Sequence, residues 1–184
     1  MSKIVAIVAS ARKNGNSDTI VKAIAEKAKA NGNTVSFRYL NDFKCLRGCQ
    51  ACLGCKKAGR CVLHDEISDV LEDIRHADGV ILSAPCYFGQ PSAQYRILED
   101  RMFSFLDSNA CSVIPCNKKL AVVITCSGGV SEADAVAKRI SDDAVSLFKY
   151  QLIDTIVMAD GVSRNAAAND AAILAKARDI GSKF

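Results

Sequence analysis

Four cysteines stand close together in the spacing C-x2-C-x2-C-x5-C: Cys49, Cys52, Cys55 and Cys61. Thiolates packed this densely can close around one small metal centre. A C-x2-C-x2-C run is a habit of iron–sulfur ligation. A structural zinc more often takes two C-x2-C pairs separated by a longer spacer. The spacing points to electron transfer, provided the rest of the chain supplies a redox partner. Cys45 is a fifth nearby thiol, either a replacement ligand or a spare one. His64 adjoins the segment, but Cys61 completes a set of four without it, so a surface role is expected. Arg47, Lys56, Lys57 and Arg60 flank the thiols. They either form a solvated rim or act electrostatically. Positive charge lowers a thiolate's pKa, favours the more reduced cluster state and steers an acidic partner.

The bulk composition narrows the setting. A chain of 184 residues suits one domain, taken here as residues 1–184. Nine cysteines is an odd number, so they cannot all pair within the chain. Clustered cysteines in a reducing compartment signal metal or redox chemistry more often than staples. The net charge of +4 comes from scattered Lys and Arg, which argues against a nucleic-acid partner. The first residues run straight into a strand-like segment, without the pattern of a signal peptide. No apolar run approaches a membrane span. A soluble cytoplasmic protein with no membrane partner is expected.

The elements that must position this chemistry alternate. Ile4 to Ala9 is a continuous apolar run, a strand buried on both faces as in a parallel sheet. Residues 16–31 carry Ile20, Ala23, Ile24 and Ala28 at helical spacing. Thr34–Leu40 alternates as a second strand, and the cysteine segment, about 41–64, reads as a loop. Helices are expected over 65–77, 91–107, 131–149 and 166–182, and strands over 79–84, 120–125 and 151–158. Tyr95, Leu98, Met102 and Phe105 should face inward from the 91–107 helix. This order predicts an α/β, doubly wound fold in three layers, with a five-stranded parallel sheet ordered 2-1-3-4-5. Ligands of such sheets bind beyond the strands' carboxyl ends, which nominates loops 10–17, 85–91 and 126–131.

The first of these loops has phosphate chemistry. Ser10, Arg12, Asn14, Gly15, Asn16 and Ser17 precede a helix whose first amides are unpaired donors at the positive end of a dipole. The side chains of Ser10, Asn16 and Ser17 can add hydrogen bonds, and Arg12 can add charge. The alternative is an ordinary turn capped by Asn16 or Ser17. Neither G-x-G-x-x-G nor G-x-x-x-x-G-K-[ST] is present, which argues against a dinucleotide fingerprint or an ATP loop.

The loop Ser10-x-Arg12-x-x-Gly15-Asn16-Ser17 resembles the FMN phosphate loop of the NAD(P)H-dependent FMN reductases, a flavodoxin-like family. The turn Pro85-Cys86-Tyr87-Phe88-Gly89 resembles that family's second flavin loop, and Tyr95-Arg96-x-x-x-Asp100-Arg101 its following helix. Arg96 stands where Lys is commoner, and Cys86 where a small aliphatic residue is usual. Within the family, the four-cysteine insertion is similar to that of the iron–sulfur flavoproteins of anaerobic archaea and bacteria.

The resemblance implies FMN with its phosphate on residues 10–17 and its ring between loops 85–90 and 126–130. Pro85 ends a strand, Tyr87 and Phe88 offer apolar area, and Gly89 permits close approach. Thr125, Ser127, Gly128 and Gly129 can present backbone donors to the ring's carbonyl edge. Core packing for the two aromatics, and a mobile turn for the two glycines, are the plain alternatives. Cys126 is either a core thiol or a redox group. The expected function is an FMN oxidoreductase with a 4Fe–4S cluster on Cys49, Cys52, Cys55 and Cys61. It would pass electrons between NAD(P)H or a ferredoxin-like donor, the flavin and a small-molecule acceptor. A cluster-free NAD(P)H-dependent FMN or quinone reductase and a non-enzymatic FMN electron carrier are the rivals. The resemblance also implies a homodimer or homotetramer.

Overall fold

The computed structural model describes residues 1–159 and 161–184. The chain runs β1 (Lys3–Val8), α1 (Asn16–Ala30), β2 (Thr34–Tyr39), α2 (Gly54–Ala58), α3 (Glu66–His76), β3 (Gly79–Tyr87) and β4 (Gln90–Pro91). It continues through α4 (Ala93–Arg101), β5 (Lys119–Thr125), α5 (Val130–Phe148), β6 (Gln151–Met158) and α6 (Ala171–Ser182). Five strands run parallel in the order β2-β1-β3-β5-β6. These are the five expected from sequence, in the expected order. The count of five needs correction, because a sixth strand, β4, pairs antiparallel with the end of β3. It is two residues long and turns back at Phe88 and Gly89, both at positive φ (51° and 69°). A ribbon that short has no periodicity to read.

Apolar faces hold the layers together. Val5 and Ile7 of β1 enter one core with the α3, α4 and α5 residues Leu71, Tyr95 and Ile140. Ile4, Ala6 and Val8 point the other way, into a second core with Ile20, Ile24 and Ile180 of α1 and α6. A strand buried on both faces needs this unbroken apolar run. Tyr95, Leu98, Met102 and Phe105 are all buried, as their helical spacing predicts, although α4 tightens into a 3-10 turn over Met102–Phe105. On the opposite face α1 and α6 touch so closely that a Cβ at Gly181 would stand 2.3 Å from the Ile24 carbonyl oxygen. Only glycine admits that approach.

The cysteine segment is not wholly loop. Gly54–Ala58 forms one turn of helix between Leu53 and Gly59, both left-handed at φ 56° and 67°. Five residues between two such breaks are too few to leave a readable pattern.

Candidate functional site

Three of the expected loops converge at the carboxyl edge of the sheet. Arg12, Pro85, Cys86, Tyr87, Thr125, Cys126 and Ser127 line a groove of about 380 Å³, together with Gly161 and Val162. The volume lies in the range of cofactor pockets. The groove occupies the place where the strand order reverses, between β1 and β3.

The loop after β1 is held by its own polar groups. The Arg12 amide donates to Ser10 Oγ at 3.2 Å, and the Gly15 amide donates to the Arg12 carbonyl at 3.1 Å. A Cβ at Gly15 would lie 3.0 Å from that same carbonyl oxygen, so the turn favours glycine. Asn14 takes φ 56°, and its amide donates to Asp18 Oδ2 at 2.7 Å. Asp18 is fully buried and also accepts from Tyr39 Oη at 3.0 Å and pairs with Lys22. Burial, and then the bond to Asp18, push Tyr39 up to about 12.

Neither Asn16 nor Ser17 caps α1. The N-cap is Gly15, which has no side chain to offer. The first-turn amides therefore keep the free donors and positive field that favour an anion. The Asn16 side chain is committed elsewhere. Its Nδ2 donates to the carbonyls of Gly161 (3.1 Å) and Ser163 (2.8 Å), and its Oδ1 accepts from the Ala167 amide (3.0 Å). Ser17 Oγ meets Thr125 Oγ1 at 2.8 Å in a buried bond. These two residues tie the first loop to the ends of β6 and β5. Their part is to fix the groove's shape.

On the facing side, Tyr87 is about half exposed (55%) and Phe88 is fully exposed, so neither is a core residue. Phe88 and Gly89 form the hairpin tip, and of the two aromatics it is Tyr87 that lines the groove. Cys86 is buried, and that burial pushes its thiol up against the pull of the Gly89 and Gln90 amides. Gly128 and Gly129 stand in open space beside the groove, with no atom within 4 Å of where a Cβ would sit. The Cys126 thiol reaches their carbonyls at 3.3 and 3.5 Å. Gly161 and Val162 were not among the sequence candidates. The strand-end rule would have included them, because they follow β6, the fifth parallel strand. A Cβ at Gly161 would crowd Asn16 Nδ2 at 3.0 Å and the Cys126 carbonyl at 3.1 Å.

Cys49, Cys52, Cys55 and Cys61 line one small separate cavity, with Arg101, Phe103 and Ser104 completing its wall. Cys45 and His64 are not part of that wall. Cys55 is buried, Cys61 half-buried, and Cys49 and Cys52 exposed. Arg101, only 1% exposed, organises the site. It donates to Cys61 Sγ (3.2 Å), the Arg47 carbonyl (2.9 Å), Ser68 Oγ (2.8 Å) and both oxygens of Asp65 (2.9 and 3.0 Å). Burial pushes Asp65 up, but the bonds from Arg101 and the Ser68 amide outweigh it, leaving the carboxyl below its ordinary value. Asp65 also caps α3, as its place before the helix suggests. Lys56 is not a free rim cation. It lies over the Phe103 ring at 3.4 Å from the centroid and donates to the Phe103 and Leu106 carbonyls. Among the described residues, no three His, Cys, Asp or Glu side chains converge on a position for a single metal ion.

An iron–sulfur flavoprotein of Methanocaldococcus jannaschii is 36% identical over 99 residues, covering 54% of this chain and 51% of that protein. An iron–sulfur flavoprotein of Methanosarcina thermophila is 35% identical over 99 residues, with coverage of 54% and 51%. The chain thus spans about half the length of the curated relatives it matches. In structure it is similar to an NAD(P)H:quinone oxidoreductase of Methanothermobacter marburgensis (TM-score 0.74, 15% identity, 98% of each chain). It is comparably similar to an azoreductase of Bacillus anthracis (TM-score 0.73, 19% identity, 100% of each chain). Among the described residues no helix is long and apolar enough to cross a membrane. The profile of the NADPH-dependent FMN reductases matches residues 2–163, and the chain belongs to that family.

Proposed function

We propose that the protein is an FMN-containing oxidoreductase carrying a 4Fe–4S cluster, which passes electrons between NAD(P)H or a ferredoxin-like protein, the flavin and a small-molecule acceptor. One observation carries the flavin assignment. Side chains from the loop after β1 and from the carboxyl ends of β3 and β5 line one groove, next to a helix N-terminus without a side-chain cap. Family membership supports it independently.

Bound FMN would supply the conversion between hydride and single-electron transfer. The chain's own part is to bind and orient. The first-turn amides of α1, with Arg12, would hold the phosphate. Pro85 and Tyr87 would flank the ring, and the backbone of 125–129 would face its carbonyl edge. The buried Ser17–Thr125 bond and the Asn16 bonds keep these segments in register.

The cysteine cavity fits a cluster in its donor set and its wall. Four thiols and no carboxylate line it. Ser104, 3% exposed, also faces it, and its Oγ has no hydrogen-bond partner. A buried hydroxyl without a partner costs about 1–3 kcal/mol, and a cluster sulfur would accept from it. Thiolates around a four-iron cluster each bind a different iron, so they need not converge on one point. Cys49, Cys52, Cys55 and Cys61 would be the ligands, with Arg101 donating to the Cys61 sulfur. The names of the relatives support the cluster. A homodimer or homotetramer would bring the cluster of one subunit towards the flavin of another.

FMN titration of the apoprotein, followed by flavin fluorescence, tests the groove. Saturable binding of one FMN per chain is expected. Equal affinity for riboflavin, which lacks the phosphate, would remove the phosphate from the α1 N-terminus.

A further inference from the structure

Two thiols outside the cysteine segment share the floor of the groove. β3 and β5 are parallel neighbours whose last paired residues are Pro85 and Thr125, so Cys86, still within β3, and Cys126, the first residue after β5, are the next residue on each side. Adjacent strands lie about 4.8 Å apart, and a disulfide spans Cα separations of roughly 4.4–6.8 Å. Direction agrees with distance. Leu82, Ala84 and Cys86 on one strand, and Val122, Ile124 and Cys126 on the other, all enter the same core. The two thiols therefore leave the sheet on the same face, and both line the groove. Neither belongs to the cavity of the other four cysteines. Both are free thiols here.

We propose that Cys86 and Cys126 form a reversible disulfide across the ends of β3 and β5, a redox-modification site at the groove floor whose oxidant is a low-molecular-weight disulfide. One protein thiolate attacks the external disulfide, forming a mixed disulfide and releasing one small thiol. The second protein thiolate attacks the mixed disulfide, releasing the other. Two protein thiols are oxidised and one external disulfide is reduced to two thiols. The groove gives the oxidant its path, since both sulfurs are otherwise buried. A bridge between adjacent parallel strands is geometrically constrained, and constrained disulfides are the readily reduced ones. Oxidation also removes the thiol hydrogen that Cys126 presents to the Gly128 and Gly129 carbonyls. The loop that opens α5 is thereby released. The placement of the two thiols rests on the strands alone, and the oxidant's path through the groove is open in the flavin-free protein.

The test uses the reduced, flavin-free protein, exposed to oxidised glutathione without oxygen, then denatured, alkylated and mapped by peptide mass spectrometry. The expected product is a crosslinked peptide pair joining Cys86 to Cys126, reversed by dithiothreitol. Cys86→Ala should instead hold Cys126 as its glutathione mixed disulfide. Hydrogen exchange over residues 127–130 should be faster in the crosslinked protein. Full alkylation of both cysteines after exposure, or a bridge from either to a cysteine of the 45–61 segment, would overturn the assignment. Unchanged exchange in the crosslinked form would overturn its link to the loop.

Discussion

The groove and the cysteine cavity sit on one fold but are built in different ways. The groove is made by the sheet. Its walls are the ends of strands whose register is fixed along their length, and buried bonds such as Ser17–Thr125 join them. The cysteine cavity is made by a segment between β2 and α3, with a single turn of helix and left-handed residues at Ala51 and Leu53. Its main tie to the core is one buried guanidinium, Arg101. A site made by strand ends is shaped before its ligand arrives. A site made by a loop depends on a few anchors and on what it holds. This difference predicts that the two sites can be damaged separately.

Cys55→Ser should show the largest effect. Iron should fall to near zero, while FMN remains bound at the unaltered affinity, as measured by metal analysis and flavin fluorescence. Full iron retention would remove Cys55 from the ligands and dissolve the contrast. Arg101→Ala comes next. It strands Asp65 and unties Cys61, and should cost about 3 kcal/mol, the lower end for a broken buried pair because Asp65 keeps some water. Chemical denaturation reads the loss, and iron should drop with it. The pH dependence sharpens the point. The folded Asp65 carboxyl lies below its unfolded value, so its contribution is present above pH ~4 and is lost as pH falls through the folded pKa. Arg101→Ala should flatten that acid limb of the stability curve. An unchanged limb would place the pH dependence elsewhere.

Smaller effects belong to the groove. Arg12→Ala removes one exposed charge from a wall otherwise intact, and should weaken FMN roughly tenfold, as losing one charged hydrogen bond does. Iron should not change. Ser17→Ala leaves the buried Thr125 hydroxyl without a partner and should cost about 1 kcal/mol of stability. No change would mean that the pair does not lock the groove.

How much was legible in the sequence also divides between the two regions. The apolar run of β1 and the inward set Tyr95, Leu98, Met102 and Phe105 follow from periodicity, because burial imposes it. The groove loops follow from the rule of strand ends. What could not be read is long-range or too short. Asn16 looks like a cap or a phosphate ligand, and only the fold brings it to Gly161 and Ala167. β4 and α2 are shorter than any periodic window. Arg101 reads as part of a helix motif, and its contacts with Asp65 and Cys61 lie 36 and 40 residues away in sequence. Spacing named the four cysteines, but it could not show that an arginine and an unpartnered serine would wall their cavity.

The most direct measurement is the amount of FMN, iron and acid-labile sulfide per chain in protein purified without oxygen. The account predicts one FMN with about four irons and four sulfides, the iron lost in Cys55→Ser. One FMN without iron would contradict the cluster and leave a flavin-dependent reductase whose cysteine segment has another purpose.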